Sequence, residues 1–545
     1  MQTNKKVYKL TKRAKSGLAG FFEAVTACLK NNFLTRHPRA TMVAALLLAT
    51  GVFLTITLSK IGAWSVWFDE SFSAFMIQQD WGEIWHYTAL DINAPLYYFV
   101  LKVWSLIVGN SDIALRLLSV LLGVGVLFSG FALARRLFGA KIGYLTLLFL
   151  TLSPILLRYA TEMRCYTLLI FLLILATHVF VLANQKPSRK LWLLYGFLIA
   201  AAMWTHYYAA LPILAHWVWR AIMLRKKFFT RGLVESLIFA AILFLPWLPV
   251  MLRQLSIVQA NGSWIPSFGS DTIGNFLGET MAYTTHSRTG GVLTLGLTLA
   301  LILLISLLVQ TRQNLTKKLQ PNFLLLLLIV LLPPITLAIL SMPPLRPTFI
   351  NRYVIFSMVM FSFLVALAVG AKLKSPKAKV TQAALLISML ALSGWGVRNV
   401  LYFGNYNFDT NAVSMAQKLM SEIDSASSEK TSVIAETPWI FYDANVYATN
   451  KNPVYFLDSR AEYEYSTSLA MLQADTTHKI FDLSEFAQKD QKVWFLSSSE
   501  TASSPPIENW ELLRTITVTD PIDGHRHNAL EYLVKQNHQE DSGHE

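Results

Sequence analysis

A chain of 545 residues that is 54% hydrophobic and only 15% charged, with a mean hydropathy of +0.42, has too little polar surface for a soluble globule and needs lipid as solvent. Its formal net charge of +14 comes from Lys and Arg in short clusters between apolar runs rather than along one face. That pattern excludes a nucleic-acid surface and points to membrane orientation. Two cysteines, Cys28 and Cys165, leave no room for a disulfide framework or a CxxC metal site.

Residues 1–40 form a basic segment with Lys5, Lys6, Lys9, Lys12, Arg13 and Lys15, expected in the cytoplasm. The apolar stretch 41–59 that follows lacks a clear small-residue cleavage site and reads as an uncleaved signal anchor. Further apolar runs lie near 114–134, 142–159, 165–183, 191–205, 209–222, 233–252, 291–309, 322–340, 350–371 and 380–398. Because roughly 20 residues cross a hydrocarbon core, the chain is expected to carry about eleven transmembrane helices. The runs 191–205 and 209–222 are short and need local thinning or burial against neighbours.

One more run, 95–108, is about a turn shorter than most of the others. If it does not cross, Arg135/Arg136/Lys141, Lys186/Arg189/Lys190, Arg225/Lys226/Lys227/Arg231, Arg312/Lys317/Lys318 and Lys372/Lys374/Lys377/Lys379 all share the cytoplasmic side with the N-terminus. If it does cross, all of them face outward, against the rule that Lys and Arg stay inside. The run is therefore read as an amphipathic or re-entrant helix at the outer interface. The transmembrane region spans 41–400, with a long outer loop at 60–113.

After residue 401 the acids, Ser and Thr rise. Helical patterns near 411–424 and 479–488, and strand-like runs at Ser432–Ala435, Val454–Leu457, Lys492–Ser497 and 512–518, describe a small extracytoplasmic α/β domain over 401–536. Its aromatics Trp439, Phe441, Tyr442, Tyr447, Tyr455 and Phe456 fit either glycan binding or an ordinary core, with the core favoured. Residues 537–545 read as a disordered tail.

The loop at 60–113 carries Phe68-Asp69-Glu70 and Asp91-Ile-Asn93-Ala-Pro-Leu-Tyr97-Tyr98. Adjacent carboxylates beside aromatics at a membrane surface cost desolvation energy unless they are used or paired; the plain alternative is that Asp69 and Glu70 cap the next helix. In the same topology Glu162 with Arg164, His206 with Tyr207, and Arg352 with Tyr353 also fall at outer ends of spans. Singly each has a structural explanation, as an interfacial ion pair, a satisfied histidine or a snorkelling arginine. Jointly they describe an outer-leaflet cavity lined by acid, base and cation.

These residues, together with Arg116-Leu-Leu-Ser119, Ser153-Pro154, Tyr159-Ala-Thr-Glu-Met-Arg-Cys-Tyr166 and Thr205-His-Tyr-Tyr208, resemble the GT-C membrane glycosyltransferases, in particular the bacterial branch related to protein O-mannosyltransferases. The resemblance covers about 41–400. It implies transfer of a hexose or pentose from a polyprenyl-phosphate donor, with inversion, to a hydroxyl of a glycan, lipid or protein acceptor on the outer face of the cell membrane. Relatives often carry His-Pro where this chain has Asn93-Ala94. A histidine role is not carried over, no cofactor is expected, and a divalent metal, Mg or Mn, is the less favoured alternative.

For such a transfer Asp69 is the expected general base, with Glu70 as second choice or partner. Arg352, Arg164 and Arg346 are expected to bind the donor phosphate, since guanidinium matches phosphate oxygens. Asp91, Asn93, Tyr97, Glu162, His206, Tyr207 and Tyr353 are candidate sugar or acceptor contacts, packing being the plainer role for Tyr97. A transporter or lipid flippase for envelope glycoconjugates is the competing class, although such proteins place charge near the midplane and show duplicated halves.

Overall fold

The structure is a computed structural model that describes residues 38–225, 228–261, 265–285, 288, 290–404, 414–458, 467–473, 475, 477–487, 491–497, 510–520 and 524–535. The basic segment before residue 38, Cys28 and the expected tail at 537–545 lie outside the described residues.

Among the described residues eight helices are long and apolar enough to cross a membrane: Pro38–Leu58, Asp112–Phe138, Tyr166–Gln185, Arg231–Val258, Gly291–Asn314, Gln320–Leu340, Asn351–Gly370 and Pro376–Phe403. The chain is a multi-pass membrane protein. The run 142–159 is a broken span, Ala140–Thr151 and Pro154–Ala160, bent by 56°. The break has a local cause: Pro154 opens the second piece and Ser153 caps it, its Oγ accepting from Leu156 N at 3.4 Å. The runs 191–205 and 209–222 form helices of 17 and 15 residues, Arg189–Thr205 and Ala210–Leu224. The eleven expected runs are thus all helical, and the two short ones lie below the usual spanning length.

Helix Leu96–Val108 has 13 residues, so it is about 20 Å long and cannot cross a core of about 30 Å. It buries Tyr97, Tyr98, Leu101 and Ser105 and exposes Val103, Leu106 and Ile107. Gly109, at φ 88°, ends it in a conformation open to glycine. Ser111 Oγ then caps the next helix by accepting from Ala114 N at 3.2 Å.

The C-terminal region is built on a six-stranded sheet: β1 (Ser432–Ala435), β2 (Val454–Leu457), β3 (Lys479–Ile480), β4 (Lys492–Ser497), β5 (Glu511–Thr519) and β6 (Arg526–Leu533), in the order β3-β2-β1-β4-β6-β5. β1 runs parallel to β2 and β4, with Ile434 opposite Tyr455 and Phe495, and β6 is antiparallel to β4 and β5. Ile434, Val493, Phe495, Trp510, Leu530 and Tyr532 form the core on one face. The run expected to be helical at 479–488 divides: Lys479 and Ile480 pair with Phe456 and Leu457, and Asp482 then caps the short helix Leu483–Phe486. β6 and helix Pro438–Asn445 were not anticipated. That helix packs on helix Phe68–Met76, where Phe75 meets Phe441 and Tyr442 edge-on at centroid distances of 5.9 and 5.2 Å. The C-terminal region therefore sits directly on the loop that carries the paired acids.

Candidate active site

Helix Phe68–Met76 begins after Trp67, which is extended and makes no side-chain cap. Asp69 and Glu70 are in its first turn, where the helix dipole favours acids, but neither occupies the cap position. Successive helical residues point about 100° apart, and the two carboxylates part company. Glu70 is fully buried. Arg116 holds it with two parallel bonds, Nε to Oε1 and Nη2 to Oε2, both 2.8 Å. Met163 N donates to the same Oε1 at 3.1 Å. Burial raises the Glu70 pKa, but the Arg116 charge and hydrogen bonds outweigh it and hold the group below the ordinary 4.5.

Asp69 turns the other way. Its Oδ2 lies 3.5 Å from Arg164 Nη2 and 3.5 Å from Arg352 Nη1. Both arginine side chains are almost wholly buried, at 6% and 8% exposure, whereas Asp69 keeps 23%. Arg164 Nη1 also donates to Asp69 O at 3.3 Å, Ser73 Oγ at 3.3 Å and Tyr98 OH at 3.2 Å. Arg352 stands over the Trp67 ring at 5.6 Å. Its neighbour Asn351 donates to Glu279 Oε1 at 2.7 Å, which anchors the turn.

This trio opens into a cavity of about 630 Å³, within the range of small-molecule sites. Trp67, Phe68, Phe72, Asp91 and Asn93 line it on the loop side, and Trp439, Ile440, Asp443, Ser497 and His527 line it from the C-terminal region. Asn93 Nδ2 donates to Asp91 Oδ2 at 2.6 Å, and burial pushes the Asp91 carboxyl up. Ser71 Oγ donates to Asp443 Oδ1 at 2.5 Å. Burial pushes Asp443 up to about 7, although hydrogen bonds from Ser71 and Ser414 oppose the rise.

Not every residue expected at the site reaches the cavity. Glu70 and Tyr97 are buried away from its lining, and Arg346 is exposed on the loop before Asn351. Glu162 forms a buried ion pair with Arg158 at 2.6 Å. Tyr207 stands behind Asn93: its OH accepts from Trp247 Nε1 at 2.7 Å and donates to Gln254, whose Nε2 donates to Asn93 O at 3.2 Å. His206 packs among Tyr166, Tyr208 and Tyr353, and Tyr208 stacks on Tyr353 at 4.4 Å. Sequence reasoning did not single out Asp443, Ser497 or His527, which reach the cavity only through tertiary packing. Arg116 stood in a quoted motif without a role. Among the described residues no three His, Cys, Asp or Glu side chains gather as a metal-ligand set.

The profile of the dolichyl-phosphate-mannose-protein mannosyltransferases matches residues 93–249. No curated protein matches the chain in sequence. Among solved structures it is similar to apo ArnT from Cupriavidus metallidurans, with 12% identity and a TM-score of 0.60 over 90% of this chain and 98% of that one. ArnT bound to undecaprenyl phosphate aligns with 12% identity and a TM-score of 0.58 over 89% and 97%. The archaeal oligosaccharyltransferase AglB from Archaeoglobus fulgidus, in complex with an inhibitory peptide and a dolichol-phosphate, aligns with 10% identity and a TM-score of 0.50 over 75% and 64%. The chain has the GT-C glycosyltransferase fold, and the resemblance read from its motifs is borne out.

Proposed function

We propose that the protein transfers a sugar from a polyprenyl-phosphate donor to an acceptor hydroxyl, with Asp69 as general base and Arg164 and Arg352 holding the phosphate. The observation that carries this reading is the single carboxylate placed 3.5 Å from two buried guanidiniums at the mouth of a cavity.

Charge balance supports it. Asp69 and the two arginines sum to one positive charge, which a phosphodiester monoanion neutralises. Donor phosphate, by drawing the two guanidinium charges from their 3.5 Å ion pairs to itself, releases the Asp69 carboxylate for the acceptor. As the acceptor oxygen forms its bond to the anomeric carbon, the bond from that carbon to the phosphate oxygen breaks and the hydroxyl proton passes to Asp69. The departing monoester becomes a dianion, Asp69 becomes neutral, and the two arginines still balance the sum. In a single displacement the acceptor attacks the face of the anomeric carbon opposite the departing phosphate, so a transfer without a covalent intermediate inverts the configuration. Glu70, gripped by Arg116, orients the helix rather than sharing the proton.

We place the reaction at the outer face of the cell membrane. The site and the C-terminal region sit near Asp112 and Tyr166, at the starts of helices whose far ends carry Arg135, Arg136 and Lys186, the side that basic loops favour in the cytoplasm. The N-terminus is then cytoplasmic and the C-terminal region extracytoplasmic.

Detergent-solubilised protein, incubated with a panel of polyprenyl-phosphate hexoses and pentoses and mixed acceptors without any gradient, is expected to consume at least one donor. A protein that moves such lipids across vesicle membranes but consumes none is a flippase instead.

A further inference from the structure

The aromatic side chains of the C-terminal region divide into two classes. Phe441, Tyr442 and Phe456 are buried, whereas Trp439 on the same helix keeps 44% exposure and lines the cavity. Beside it the same wall is lined by Asp443, by His527 and by Ser497, whose hydroxyl donates to Glu436 Oε2 at 2.8 Å and remains an acceptor. A pyranose has a patch of C–H bonds on one face and hydroxyls around its rim. An indole plane suits the first and a ring of donors and acceptors suits the second.

We infer that this wall, made by Trp439, Asp443, Ser497 and His527, is the acceptor subsite and that the acceptor is a saccharide hydroxyl rather than a peptide side chain. The inference rests on the glycosyltransferase reading given above.

Three observations carry it. The wall is held in register with Asp69, because the helix bearing Trp439 and Asp443 is fastened to helix Phe68–Met76. Ser71 donates to Asp443, and Phe68 and Phe72 meet Tyr442 edge-on at 5.8 and 6.1 Å. Further along the chain Val66 N donates to Tyr447 OH at 2.8 Å. A hydroxyl bound against Asp443 is thereby presented to the cavity into which Asp69 opens. Secondly, the strands that reach the cavity are β4, through Leu496 and Ser497, and β6, through His527. Both are interior strands of the sheet, flanked on each side. They offer no free backbone edge along which an extended peptide adds as a strand. Thirdly, Asp443 lines the cavity and, pushed by burial up to about 7, accepts from a sugar hydroxyl when ionised and also donates to one when protonated.

The test uses the full-length protein in nanodiscs with two independent probes. Undecaprenyl phosphate reports the donor side; methyl glycosides of hexoses, amino-sugars and pentoses report the wall by saturation-transfer NMR, with threonine-containing hexapeptides in parallel. At least one glycoside is expected to saturate. Trp439→Ala and Asp443→Asn are each expected to weaken that signal at least about fivefold while undecaprenyl phosphate affinity stays within about twofold. Trp439→Phe, which keeps an aromatic plane, is expected to restore it. If undecaprenyl phosphate binds but no glycoside does, or the peptides saturate in their place, the saccharide subsite is wrong and the donor reading stands. If undecaprenyl phosphate does not bind wild-type protein, the donor reading itself fails, and this inference falls with it.

Discussion

Arg116 grips Glu70 through two 2.8 Å hydrogen bonds, and this buried pair, not the adjacency of two acids, sets the direction of Asp69. The same guanidinium donates to the carbonyls of Ile61, Trp64 and Ser65 at 2.8, 3.0 and 3.2 Å. Glu70 in turn receives Met163 N, one residue before Arg164. One ion pair thus joins the loop after the first apolar helix, the Asp69 helix and the Arg164 loop.

Glu70→Gln leaves the buried Arg116 charge with only the more distant Asp112, 3.8 Å away, and is expected to cost up to about 3 kcal/mol, the low end for removal of one member of a buried pair. Glu70 is held below 4.5 when folded, so its contribution is present above the unfolded value and lost only as pH falls through the lower folded one. The loss in thermal stability is expected to be constant between about pH 6 and 8. A mutant that unfolds at the wild-type temperature contradicts the clamp.

Arg352→Lys and Arg164→Lys keep the charge but lose the planar fork. A hydrogen bond to a charged group contributes about 1.5–3 kcal/mol, so each change is expected to weaken undecaprenyl phosphate binding roughly 10- to 100-fold. Arg346→Lys, exposed and outside the cavity, is expected to leave it unchanged. Equal losses for all three, read by titration in nanodiscs, contradict the assignment.

Much of the architecture was legible because hydropathy and loop charge are local signals. Each of the eleven apolar runs is helical, and the Ser153-Pro154 pair that breaks one of them stands in the sequence. Strands β1, β2, β4 and β5 were read from their β-branched and aromatic runs. β6 escaped because Arg526, His527 and Asn528 interrupt any alternation. At the site, Asp69, Arg164, Arg352, Asp91 and Asn93 were all singled out from residue type and side of the membrane. What composition does not reveal is direction. Nothing local tells that Glu70 turns from Asp69 toward Arg116, 46 residues on. The roof is less legible still, since Asp443 meets Ser71 across 372 residues.

Asp443 gives a pH signature. Its folded value of about 7 lies above the ordinary 3.8 through burial, with the Glu70 and Asp69 charges adding to the rise and Ser71 and Ser414 opposing it. The folded chain therefore holds this proton more tightly than the unfolded chain, and the wild-type protein loses stability as pH climbs from about 4 to about 7. Asp443→Asn removes that loss. Its unfolding temperature is expected to gain more on wild type at pH 8 than at pH 5; an offset that is the same at both contradicts the buried, near-neutral carboxyl.

The most direct test of the account separates chemistry from donor binding at Asp69. Purified wild-type protein and Asp69→Asn are each saturated with the polyprenyl-phosphate sugar that the wild type consumes, and one turnover is followed alongside undecaprenyl phosphate affinity. The substitution is expected to slow transfer by about 10²–10⁴ while phosphate affinity holds or rises, because the carboxylate that competes for Arg164 and Arg352 is gone. Transfer at the wild-type rate, or a loss explained wholly by weaker phosphate binding, contradicts Asp69 as the base.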